Sequence, residues 1–245
     1  MNTLAPALSR MQGREGPAKR EGEGNETPPD RVILLHGLSR TRRSMARMAA
    51  ALRREGYHVI NHGYSSRRYG FAELVAQFRA FCAGLDPAPR THFVGHSLGG
   101  LILRAALCET PPFPCGRLVL LGVPNRGALS VTRLQAKGWT RALPGLLGRC
   151  ARELYRDAPW LASIGRPPLE TGVIVGTRRF DPLNPSAWIN RLHGATEDSD
   201  GTVECDSARL EGATAILTLD VGHTFMPADD GVIAAVIRFL REGRF

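Results

Sequence analysis

At 245 residues the chain can bury one sizeable core, and its 43% hydrophobic and 22% charged content is that of an ordinary globular domain. Its net charge of +9 is almost all arginine, because Lys19 and Lys137 are the only lysines. The arginines are scattered rather than gathered into a basic run, which argues against nucleic acid as a partner and for solvated surface charge.

In chain order, residues 1–30 are rich in Gly, Pro, Glu and Arg and read as a disordered N-terminal tail. From Arg31 apolar runs alternate with helix-period stretches. "RVILLHG" is a continuous apolar run ended by Gly37, as expected of a strand buried on both faces. "TRRSMARMAAALRREG" follows as a helix, with Thr41 or Ser39 as its cap, Met45, Met48, Ala49 and Leu52 on one side, and Gly56 as its stop. "YHVIN" is the next strand. "GFAELVAQFRAFCAGL" is a helix with Phe71, Leu74, Val75, Phe78 and Phe81 inward. "THFVG" is a strand, "LGGLILRAALCE" a helix and "GRLVLLG" a strand.

The alternation lapses between Pro124 and Pro168, where short amphipathic pieces are broken by Gly138, Pro144, Gly145 and Pro159. It resumes with the strand "TGVIVGT", a loop to Gly212, the strand "ATAILTLD" and the helix "DDGVIAAVIRFLREG". The expected architecture is α/β: a doubly wound, mostly parallel sheet of about six strands over residues 31–245. A short helical insertion, about 128–168, follows the fourth strand and is either a surface layer or a lid.

Five cysteines form an odd set with no CxxC pair, which excludes a disulfide framework and a zinc spacing. No signal-peptide core opens the chain, and no apolar run nears the ~20 residues of a membrane span. The expectation is a cytoplasmic enzyme without stable membrane insertion; nothing in the sequence bears on oligomeric state.

The most informative stretch is "THFVGHSLGGLILRA", where strand turns into helix at Gly95-His96-Ser97-Leu98-Gly99. G-x-S-x-G carries weight only at such a junction, because there the sharp turn lifts the serine hydroxyl above the sheet edge. Otherwise the glycines simply make a tight turn. A serine nucleophile needs a base, and the base needs an orienting acid. Of seven histidines, His223 follows the last strand and emerges at the same edge as Ser97, with His193 second. His58, His62 and His92 lie at or in strands and read as structural, and His96 as packing or pocket lining. For the acid, the loop "ATEDSDGTVECDS" offers Asp200, followed by the turn residue Gly201, ahead of Asp198; alternatively it is a solvated acidic loop. Two N–H donors must meet the oxyanion. Leu98 at the helix start offers one, and Leu38 after Gly37 the other, with His36 bracing that loop.

"LLHGL", "GHSLGG", "LGVPNRGAL", "DGTV" and "VGHTF", in this order, resemble the α/β-hydrolase superfamily in its bacterial lipase- and esterase-like branch. The resemblance covers roughly residues 31–245. It implies Ser97 as nucleophile, Asp200 as acid, His223 as base, Leu38 and Leu98 as the oxyanion hole, and Pro124, Asn125 and the following turn to Gly127 as the pocket floor, beside His36, Gly37 and His96. The antiparallel N-terminal strands of larger members are missing, and the insertion is short for a full lipase lid; both argue against long-chain triglycerides.

The function expected is a serine hydrolase of carboxylic esters, acting on a small-molecule ester without metal or organic cofactor. Leu129, Leu134, Trp139, Leu143, Leu146 and Trp160 either wall the pocket or merely pack the insertion. An acyltransferase or thioesterase would use the same residues, and a silent scaffold that binds a ligand is the alternative of another class.

Overall fold

The computed structural model describes residues 28–87, 89–136, 148–192 and 196–245. Residues 1–27 of the predicted tail, His193, and Trp139, Leu143 and Leu146 of the insertion lie outside the described residues, as does the side chain of Leu134.

Six strands form one all-parallel sheet: β1 (Arg31–Leu35), β2 (His58–His62), β3 (Thr91–His96), β4 (Cys115–Leu121), β5 (Thr171–Gly176) and β6 (Ala215–Leu219). Their order is β2-β1-β3-β4-β5-β6, so the chain winds one way from β1 to β2 and then the other way from β3 outward. The register aligns Leu35 with Gly95 and His96 with Leu121, bringing the ends of β1, β3 and β4 to one edge.

Alternate strand residues feed two cores, as the two-residue period of a strand requires. Ile33, Leu35, Phe93, Leu118, Leu120 and Val173 pack under α2 (Phe71–Ala83) and α3 (Leu98–Ala106). Val32, Leu34, Val94, Val119 and Ile174 face α1 (Ala46–Arg54) and the C-terminal helix α8 (Asp230–Glu242). Covering on both faces explains why β1, β3 and β5 are buried at every position. β6, at the edge, alternates between half-buried and exposed residues.

The predicted helix "TRRSMARMAAALRREG" divides: a 3₁₀ turn, Arg42–Met45, precedes α1, with the Thr41 hydroxyl accepting from the Arg43 N–H. Gly56, at φ +89°, ends it. In the insertion, α4 (Leu129–Ala136), a 3₁₀ turn (Cys150–Glu153) and α5 (Pro159–Ser163) are described. Its second half is part of the core: Cys150, Leu154 and Leu161 are buried, and the Trp160 ring lies 4.4 Å from that of Phe71.

The stretch from Arg178 to Gly212, read from sequence as a loop, carries two helices, α6 (Pro185–Leu192) and α7 (Cys205–Ala208). Asn184 starts α6, its side-chain oxygen accepting from the Ser186 N–H at 3.0 Å ahead of Pro185 at the first helical position. Asn-Pro was the available signal.

Candidate active site

Ser97 stands between β3 and α3 with φ +53° and ψ −123°, a conformation that costs a residue with a side chain about 1–3 kcal/mol. The turn is held from both sides. The Ser97 N–H donates to Leu121 O of β4 at 2.9 Å, and the Ser97 carbonyl accepts from Gly100 at 3.0 Å. The glycines around it are there for contact. A Cβ on Gly95 would meet Gly100 Cα at 2.5 Å, one on Gly99 would meet His36 O at 2.6 Å, and one on Gly100 would run into Val123 Cγ2. The first turn of α3 therefore lies close against the backbone at the ends of β1 and β3.

The acid loop follows β5. Asp200 is 1% exposed, and its Oδ1 accepts the Thr202 and Val203 N–H groups at 3.0 and 2.8 Å. Gly201 turns the chain at φ +93°, pressed against Arg179 O. Asp200 Oδ2 is thereby aimed at His223 Nδ1, 2.7 Å away. The loop after β6 brings His223 there, and the backbones are joined too, His223 N–H donating to Asp200 O at 2.9 Å. A carboxylate can only accept, so Nδ1 carries the proton and Nε2 is left with its lone pair.

The loop after β1 closes the arrangement. His36 is buried; its Nε2 accepts the Tyr64 N–H and its Nδ1–H donates to Gly37 O at 2.9 Å, while its ring stacks on Tyr64 at 4.2 Å. Burial holds its imidazole below the usual range. The Tyr64 hydroxyl donates to His36 O, so this loop is braced at both ring and backbone. A Cβ on Gly37 would lie 3.2 Å from Ser97 Cβ, which puts the loop directly on the serine. Among the described residues, neither the Leu38 nor the Leu98 N–H has a protein acceptor. For Leu98 this follows from its place in the first turn of a helix.

His96 packs its ring 4.7 Å from that of His223, its Nε2–H donating to His223 O at 3.1 Å, so it supports His223 from behind. Ser97 and His223 are each 8% exposed, and the Ser97 hydroxyl makes no hydrogen bond among the described residues. Such contacts often tighten only when substrate is bound. Surface clefts lie elsewhere: one of about 580 Å³ is walled by Leu129, Arg156, Glu204 and Asp206, and one of about 470 Å³ by Phe180, Asp181, Phe225 and Asp229.

Pro124 and Asn125 lie just past β4, both buried. The Asn125 amide is committed inward, its oxygen to Arg104 Nη1 and its nitrogen to Ala208 O, each at 2.8 Å. Leu129 is half-buried, its N–H on the buried Glu204 carboxylate. Asp198, the second candidate acid, is exposed and paired with Arg179. His58 opens β2 and His92 lies near the start of β3, away from this edge, while His62 ends β2 at the edge with its ring on those of Phe78 and Phe81; His92 Nε2 faces Asp30 at 3.2 Å.

The sequence reading passed over Gly122 and Gly176. Gly122 has φ +52°, and a Cβ there would stand 2.9 Å from Asp200 Oδ2 and 3.2 Å from His223 Nδ1. At Gly176 it would stand 2.8 Å from Asp200 Cβ. Glycine at the ends of two neighbouring strands was the signal.

A family model described as the alpha/beta hydrolase family matches residues 32–236. Among solved structures, the mature Bacillus licheniformis lipase BlEst2 superposes with a TM-score of 0.67 at 17% identity, covering 93% of this chain and 96% of that one. A metagenomic carboxyl esterase gives 0.64 at 20% identity over 87% and 70%. Tomato methylketone synthase I, complexed with 2-tridecanone, gives 0.53 at 15% identity over 88% and 99%. These likenesses show a shared fold. No curated protein matches the chain.

Proposed function

The chain belongs to the alpha/beta hydrolase family, and from that premise we propose that it is a serine hydrolase of carboxylic esters. The carrying observation is the His223–Asp200 pair, 2.7 Å apart and fixed by backbone bonds at the sheet edge that bears the strained Ser97. Lipase and esterase neighbours support the substrate class.

Ser97 Oγ attacks the ester carbonyl while His223 Nε2 takes its proton, and Asp200 stabilises the imidazolium through Nδ1–H. The carbonyl oxygen becomes an oxyanion facing the Leu38 and Leu98 N–H groups; losing one such donor typically costs ~10²–10³ in rate. His223 returns the proton to the departing alcohol. Water, deprotonated by the same imidazole, then releases the acid from the acyl-enzyme.

Intact-mass labelling with a fluorophosphonate tests this without a known substrate. Wild type is expected to gain one adduct, and Ser97→Ala and His223→Ala none, with ester turnover down by ~10⁴-fold or more in each. A folded wild type that takes no label would overturn the reading and bring the ligand-binding scaffold forward. Product analysis with added alcohol or thiol separates hydrolysis from acyl transfer.

A further inference from the structure

Between Arg31 and Ala72 the chain holds nine arginines and one acidic residue, Glu55. The loops leaving β1 and β2 at the carboxyl edge of the sheet belong to this stretch, and Arg40, Arg42, Arg43 and Arg68 on them are exposed. Among the described residues none of these four pairs with a carboxylate. Arg42, Arg43 and Arg53 line a cleft of about 420 Å³ with Asn61. On the other side of Ser97, the loop after β5 carries the carboxylates. Several of those are already paired, Asp198 with Arg179 and Glu197 with Arg133, whereas the four arginines on the Leu38 side have no carboxylate among the described residues.

Arg40 is the member of this set tied to the reacting groups. Its backbone N–H donates to Gly37 O at 3.3 Å, and its Nη2 donates to the hydroxyl of Thr224, the residue after His223, at 3.3 Å. The guanidinium thus joins the loop after β1 to the loop after β6. Its charge reaches the site: the His96 imidazole is held well below its usual range by burial, then by His223, then by Arg40. The remaining N–H donors of Arg40 have no protein acceptor among the described residues. A planar cation beside the site, with spare donors and no carboxylate among the described residues, matches a carboxylate or phosphate.

We infer that the esters taken by this site carry a negatively charged group, and that Arg40 is the residue that binds it. This rests on the serine-hydrolase reading above. A carboxylate and a phosphate meet the same chemistry, and the charge can sit on the acyl or the alcohol side.

Two matched pairs of substrates test it. Mono-4-nitrophenyl glutarate against 4-nitrophenyl pentanoate places the charge on the acyl side. 1-Decanoylglycerol 3-phosphate against 1-decanoylglycerol places it on the alcohol side. In at least one pair, wild type is expected to show kcat/KM about tenfold higher for the anionic ester, through a lower KM, as one exposed charge-assisted contact provides. Arg40→Gln should remove that advantage, Arg40→Lys restore part of it, and about 1 M salt shrink it by screening. Thr224→Val drops the Arg40 tether and keeps the cation, so it should retain most of the preference. If Arg40 only held the loops together, Thr224→Val would act like Arg40→Gln. Equal kcat/KM within both pairs, or a preference unchanged in Arg40→Gln, overturns the inference. Fluorophosphonate titration of each protein separates the two levels: labelled wild type without charge preference sinks only this inference, whereas unlabelled wild type sinks the reading beneath it.

Discussion

Gly122 shows how tightly single residues are constrained around the pair of loops. It ends β4 in the left-handed region, and any Cβ there meets Asp200 Oδ2, Met226 Cε and His223 Nδ1 at 2.9–3.2 Å. Gly122→Ala should therefore hurt twice. Backbone strain should cost about 1–3 kcal/mol, and displacement of the imidazole should lower kcat by ~10²-fold with little change in KM. A thermal melt and steady-state ester kinetics on one preparation read both; an unchanged kcat would show that His223 and Asp200 are not held through this contact. Ser97 and His223 could be named from sequence because each lies just beyond a recognisable strand, and Asp200 because it stands before a turn glycine in the acidic stretch between the last two strands. Gly122 and Arg40 could not. The role of a missing side chain, or of a cation bridging residues 184 apart, exists only once β4, β5 and β6 are side by side.

At the scale of elements, α3 does more than present the serine. Arg104, two residues before its end, is 4% exposed and pushed down to about 10 by burial. It donates to Asn125 Oδ1, Ile164 O and Gly165 O, and Asn125 passes the connection on to Ala208 O at the end of α7. One helix thus ties the loop after β4, the end of the insertion and the acid-bearing segment together. Arg104→Leu strips the buried amide and carbonyl of their donor. The expected loss is about 2–4 kcal/mol, a drop in Tm of roughly 5–15 °C for a chain this long; a shift under about 2 °C by calorimetry would sink the idea. The strands were legible because burial on both faces writes a continuous apolar run. α6 was not, because Phe180, Leu183 and Trp188 around it are exposed and its sequence lacks a clean apolar stripe. Its capping residue was the stronger sign.

For the whole molecule, burial of imidazole couples the fold to pH. His36, His62, His92 and His96 are all held below the usual range, with burial the largest cause for each. Reading them as structural from their strand positions was possible for His62 and His92; the enclosure of His96 between Ser97 and His223 depends on the meeting of two distant loops. The linkage runs one way. In the unfolded chain these rings bind protons as pH falls through about 6.5, while in the fold they stay neutral, so below that pH the unfolded state holds more protons. Their stabilisation is complete above about pH 6.5 and is lost progressively below it. Glu204 opposes this in part, since burial raises its carboxyl and the fold keeps that proton as pH rises. Asp30, Asp206 and Glu197 are lowered and act at still lower pH. Urea unfolding at three pH values between about 7.5 and 5.5 should show stability falling by up to about 1.4 kcal/mol per pH unit for each fully linked ring. His96→Asn should flatten the slope whatever it does to absolute stability. His96 is the ring to remove because it is 2% exposed with no partner at Nδ1, which leaves an added proton without an acceptor. A wild-type profile level across that window would mean that the loops over these rings open at little cost, and the bracing of the serine turn would have to be sought in the strands alone.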